Sequence, residues 1–218
     1  MPAFAKITVK ETTPPDASNP FSPRKWIYGG VSATAYKGSL SSAYAQFSPS
    51  LHVGLRLSRS KRLNGTFQLS LGSVTGSSSR YDFKIPANSN ATPANSFHTN
   101  FFMLNYELSL SLVKRRRFCW YISQGIGFMH FEVYDSENKS LFDNSLSRAT
   151  GESYLKNTVI LPSSTGIYGL LPGGYGLGFQ AGWWNTGTDY IDNLSKLSDG
   201  RSGDNLLFYK FTVMVPVR

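Results

Sequence analysis

Cysteine is almost missing from this sequence. Cys119 is the single one in 218 residues, which excludes an internal disulfide and any multi-cysteine metal site. It falls within an alternating segment and reads as a small packed residue. Charge is scarce too: Asp, Glu, Lys and Arg make up 16%, against about 25% in an ordinary soluble domain. Part of the surface is therefore expected to face something other than water. Acids are the scarcer sign, 13 against 22 Lys and Arg, for a net charge of +9. No apolar run approaches the roughly 18 residues that a spanning helix needs. The N-terminus, MPAFAKITVKETTPPDASNPFSPRK, has no apolar h-region, so no export signal is visible. An exported protein would be read here as a mature form or one with a late start.

Catalytic machinery is equally thin. His52, His98 and His130 lie in different segments without metal-ligand spacing. Asp189 and Asp192 stand three apart in a polar stretch, where turn chemistry explains them; a full calcium cage needs more oxygen ligands. There is no glycine-rich phosphate loop leading into a helix and no nucleophile elbow. The expectation is a non-enzyme with no cofactor and no metal.

What the chain does have is aromatics at 14% and 20 glycines, the composition of strands and tight turns. Residues 1–25, rich in Pro, Ser, Thr and Asn, read as a flexible tail. Residues 26–218 alternate with a period of two. In strand two Phe47, Leu51, Val53, Leu55 and Leu57 oppose Ser48, Ser50, His52, Gly54 and Arg56. In strand four Phe102, Leu104, Tyr106, Leu108, Leu110 and Leu112 oppose Met103, Asn105, Glu107, Ser109 and Ser111. Strand five sets Phe118, Trp120, Ile122, Ile126 and Phe128 against Cys119, Tyr121, Ser123, Gly125 and Gly127. Strand seven does the same with Tyr175, Leu177, Phe179, Ala181 and Trp183, while Trp184 turns inward or caps the mouth. Strand six is placed at about 155–167, where Pro162 interrupts a poor alternation.

Eight strands result, with unequal connections. Those after strands two, four and six are short; those after three, five and seven, at about 75–99, 135–153 and 188–204, are long and polar. Short turns thus share one end and long loops the other. This predicts an all-β, eight-stranded antiparallel transmembrane β-barrel, whose closure leaves no sheet edge for lipid to meet. A soluble carrier barrel of lipocalin type also alternates, but it faces large apolar residues inward and Lys, Glu or Thr outward. Here the second face is Ser, Gly, Asn and Gln, which suits a narrow lumen. His52, Arg56, Gln68, Asn105, Glu107 and Gln180 are expected to form a polar network there, with Glu107 and Arg56 able to pair.

Ten basic residues gather at the short-turn end, among them Arg59, Lys61, Arg62, Lys114, Arg115, Arg116 and Arg117. They suit lipid phosphates, or docking of an acidic periplasmic protein. Nucleic acid is not expected, because the clusters sit on tight turns without a recognition helix.

Several stretches resemble one family, the PorG-like small outer-membrane β-barrels of Bacteroidota, from the type IX secretion and gliding machinery. They are Gly29-Gly30-Val31-Ser32 with Tyr36-Lys37-Gly38-Ser39-Leu40, Pro49 and Gly54 with Arg56, Asn105-Tyr106-Glu107-Leu108, and Gly125 to Phe131. Ser39 stands where the family carries an acid. The most distinctive run is Thr188-Asp189-Tyr190-Ile191-Asp192-Asn193-Leu194-Ser195, similar to Thr-Asp-Tyr-Leu-Asp-x-Val-Ser; Thr188, Asp189, Tyr190 and Asp192 mark it. The resemblance implies an outer-membrane location, with both termini periplasmic. It also implies a non-catalytic subunit that anchors a secretion or surface complex, with outer-membrane lipid and periplasmic and outer-membrane proteins as partners. The alternative is a stand-alone barrel that binds a ligand or surface partner through its long loops.

Overall fold

Period-two patterning folds into eight strands in the computed structural model, which describes residues 25–58, 62–172, 174–198 and 203–217. They are β1 Lys25–Lys37, β2 Phe47–Ser58, β3 Leu63–Ser77, β4 Ser96–Arg115, β5 Phe118–Tyr134, β6 Asn157–Leu170, β7 Gly176–Thr186 and β8 Asn205–Val217. Every neighbour pairs antiparallel in chain order, and β1 pairs with β8 (Val31 opposite Phe211) to close the barrel. The tail read at 1–25 lies outside the described residues except for Lys25, which opens β1.

Alternation decides which face is which. Leu51, Leu104, Leu108, Ile126, Phe179 and Phe211 are exposed on the outer wall, whereas Ser50, Asn105, Glu107, Ser109 and Lys210 are buried inside. Along β4 the outward apolar series runs from Phe102 to Leu112. At about 3.3 Å per residue and a tilt of roughly 40°, that series is about 25 Å tall along the barrel axis. That is the height of a bilayer-spanning apolar band, and it makes this a transmembrane barrel.

β6 corrects the expectation drawn from its sequence. It runs from Asn157 to Leu170 and contains Pro162. The β5–β6 ladder skips the residues around Pro162, pairing Gln124 with Ser163 and then Gly127 with Ile160. Proline offers no N–H to this neighbour, yet Pro162 still stands opposite Trp184 of β7. The strand therefore survives a residue that weakens its pattern.

The interior has three layers. At the short-turn end Trp26, Tyr28, Cys119, Tyr121, Tyr168, Leu170 and Met214 pack together. A polar layer follows. At the long-loop end a larger apolar core joins strand residues such as Phe101, Met103, Phe131, Trp184 and Phe208 to loop residues Leu40, Leu141, Ile191, Leu194 and Leu197. Inward glycines make room for the rings: a Cβ at Gly54 would overlap Tyr28, and one at Gly166 would overlap Tyr121.

Candidate functional site

Of the six polar residues singled out from sequence, Asn105, Glu107 and Gln180 join directly, while His52, Gln68 and Arg56 have other partners in the lumen. Glu107 Oε1 accepts from Asn105 Nδ2 at 2.9 Å. Its Oε2 accepts from Ser123 Oγ at 2.9 Å and Gln180 Nε2 at 3.1 Å. Gln180 Nε2 also reaches Ser164 Oγ at 2.6 Å. His52 lies between Ser32 Oγ, 2.8 Å from Nδ1, and Thr212 Oγ1, 3.0 Å from Nε2. Gln68 Oε1 accepts from Tyr28 Oη at 3.2 Å and from Lys210 Nζ at 3.1 Å.

Arg56 departs from expectation. It forms no ion pair with Glu107. Its guanidinium instead sits 4.9 Å from the Tyr121 ring and 4.5 Å from the Tyr168 ring, an arrangement that stabilises a cation through the ring quadrupoles. Its Nε and Nη2 have no acceptor among the described residues. They border a cavity of about 40 Å³ lined by Tyr28, Gln68, Glu107, Tyr121, Tyr168 and Met214 among others. The space is large enough for water to bridge cation and carboxylate. Lys210 is the network member that sequence reasoning missed. Its place on the inner face of β8 follows from alternation, but its partners lie across the lumen on β3, which one strand's pattern does not show.

Above this layer the third long loop turns into the barrel mouth. Ile191, Asp192, Asn193, Leu194 and Leu197 are all buried. Thr99 of β4 donates to the Ile191 carbonyl at 2.5 Å. Asn193 adopts the left-handed region at φ 65°, where asparagine is tolerated. Its side chain accepts from Arg148 Nη1 and Tyr154 Oη and donates to Ser147 Oγ, tying this loop to the one before β6. Tyr190 stacks on Tyr154 with ring centres 4.6 Å apart, and its hydroxyl donates to Glu152 Oε1 at 2.9 Å. Tyr36 Oη lies 2.6 Å from Asp192 Oδ2 and 2.7 Å from Asp204 Oδ1.

The run 188–195 thus divides its work. Tyr190, Asp192 and Asn193 bond inward, while Asp189 is half-buried and its carboxyl is raised by that burial. Among the described residues no group of three or more His, Cys, Asp or Glu is placed to hold a metal. Asp192 is already ringed by N–H and O–H donors rather than open to a cation.

The other end differs in charge. Lys25, Arg62, Lys114, Arg115, Arg116 and Arg117 are all exposed there. Arg59 and Lys61 lie outside the described residues. Among the described residues no Asp or Glu stands at this end: Glu107 is in the lumen, and the others belong to the long-loop end.

Comparison with known proteins agrees on the architecture. No protein-family model matches the chain, and no curated protein matches it. Among solved structures, the Neisserial surface protein NspA superposes with a TM-score of 0.56 at 10% identity, over 88% of this chain and 97% of that one. The likeness is one of fold: a small closed barrel. The attachment invasion locus protein Ail of Yersinia pestis, solved with the heparin analogue sucrose octasulfate, gives 0.48 at 9% identity over 88% and 97% of the two chains. The outer-membrane enzyme PagL gives 0.37 at 12% identity, over 87% and 99%.

Proposed function

We propose that this protein is a non-catalytic outer-membrane barrel that anchors or organises a larger assembly, docking a periplasmic component on its short-turn end. The observation that carries the reading is the one-signed charge of that end. Short turns face the periplasm in outer-membrane barrels, so Lys114 to Arg117 would meet periplasmic proteins. Arg115, Arg116 and Arg117 contact no acid among the described residues, which leaves them to steer an acidic partner or to meet lipid phosphates. The filled lumen argues against transport, because both mouths are packed with apolar side chains. The resemblance of residues 188–195 to the PorG-like run points to a type IX secretion-like machine as that assembly.

A second reading draws on the loop end, where loops and strand ends share one core. A rigid cap of that kind can present a binding surface, and Leu146 and Leu155 are exposed on it. The two readings separate by charge reversal at Arg115, Arg116 and Arg117 to Glu, followed by recovery of the barrel in mild detergent. Docking predicts that a periplasmic protein is lost from the preparation while heat-modifiable gel migration, the sign of a folded barrel, is kept. Unchanged recovery of partners rejects docking at this turn.

A further inference from the structure

The cluster at Tyr36 differs from the rest of the interior because it sets two acids against one hydroxyl. Tyr36 lies near the end of β1, Asp192 in the loop before β8, and Asp204 directly ahead of β8. A phenol carries one proton, so it can donate to one carboxylate alone. The other short contact is a hydrogen bond when the second carboxyl is protonated and donates to the phenol oxygen. The remaining acceptor positions are filled by backbone N–H groups. Leu40 N and Leu194 N reach Asp192 at 3.3 and 2.9 Å, and Ile191 N reaches Asp204 at 2.6 Å. These bonds hold residues 191–194 against β1 and β8 and seat Ile191, Leu194 and Leu197 in the apolar core.

No cation compensates the pair among the described residues. Arg148 reaches this loop through Asn193, not through either carboxyl. Lys37, next to Tyr36, lies 5.9 Å from the Tyr44 ring and is exposed. Thr99 of β4 is a neutral donor. Asp189 adds negative charge from the same loop, and Glu152 does so from the loop before β6, beside Tyr190.

We propose that residues 188–198 form a proton-locked plug in the barrel mouth, seated while Tyr36, Asp192 and Asp204 share two protons and lifted when the carboxyl proton is lost. Once lost, one phenol proton faces two buried carboxylates, and their repulsion has no relief except hydration. Lifting brings water to Ile191, Leu194 and Leu197 and uncovers Trp184 beneath them. This device stands apart from the docking reading, which concerns the opposite end.

Titration runs in the required direction. Burial raises Asp192 to about 7; burial and then the Asp192 charge raise Asp204 well above the usual carboxylate range. A lifted loop would regain ordinary carboxyls near pH ~4. The seated state therefore binds the extra proton, so seating is strongest at or below about pH 4 and is lost as pH rises through about 7.

Hydrogen exchange by mass spectrometry on the whole barrel in lipid tests this, read between pH 5.5 and 8.5 after correction for intrinsic rates. Protection of residues 189–198 is expected to fall by about tenfold or more, as one linked proton over such a range requires, while β4 and β5 stay protected. Asp204→Asn or Asp192→Asn supplies a permanent donor and should keep protection flat with pH. Glu152→Gln and Asp189→Asn should leave the wild-type pH dependence in place. Protection of 189–198 that is independent of pH in the wild type overturns the proposal, even if an Asn variant fails to fold. So does a dependence removed by Glu152→Gln rather than by the Asn variants.

Discussion

Glu107 is the charge on which the lumen turns. Three side-chain donors converge on it, and Arg56 and Lys210 are buried in the same interior. Replacing it by Ala removes the acceptor shared by Asn105, Ser123 and Gln180, an expected loss of about 1–3 kcal/mol. Urea titration of the barrel in vesicles reads that loss, and Glu107→Gln should cost less because it keeps an acceptor. On the opposite face, Leu108 is 47% exposed at mid-wall. Leu108→Arg should cost about 2–4 kcal/mol in a bilayer, whereas Ser109→Arg should act through crowding of the lumen. A harmless Leu108→Arg in a folded, embedded barrel would reverse the assigned faces. Sequence made this facing legible, because a period of two is a one-strand property. It did not reveal that Arg56 lies between Tyr121 and Tyr168 rather than on Glu107. Partners across a lumen depend on strand stagger and ring packing from β5 and β6, which alternation does not encode.

At the level of elements, the strands and the unequal connections could be read, and the fate of the long loops could not. Residues 188–204 are polar on paper, yet Ile191, Leu194 and Leu197 are spaced three apart and all drop into the mouth. The three-residue spacing was a usable signal, hidden by the acids beside it. Asp192 and Asp204 are buried too, satisfied by Tyr36, far off in sequence, and by backbone N–H groups. β6 is placed from sequence at about 155–167 in spite of Pro162; it runs from Asn157 to Leu170, and the ladder to β7 carries it past the proline. The plug's packing yields a direct expectation. Trp184 has no exposed surface and packs against Phe101 and Phe208. Replacing residues 189–198 with a Gly-Ser linker should leave the barrel assembled but make Trp184 quenchable by acrylamide. The comparison is best made with Trp26, Trp120 and Trp183 changed to Phe. Equal quenching before and after the replacement would mean that the loop does not cover the mouth.

Across the whole molecule the charges are sorted. The long-loop end mixes both signs, as in the Lys156–Glu132 pair at 3.0 Å and the Lys139–Glu137 pair at 2.6 Å. The short-turn end carries described cations alone. A packed lumen, an apolar wall and one basic rim are the features on which the proposed anchoring role rests. The most direct measurement of that claim is photocrosslinking in intact cells from a benzoylphenylalanine placed at Arg116, with the same probe at Leu146 as the comparison. The account predicts a discrete adduct with a periplasmic protein from position 116, lost when Arg115 and Arg117 become Glu. Adducts from position 146 alone, or lipid as the sole product at position 116, would contradict it.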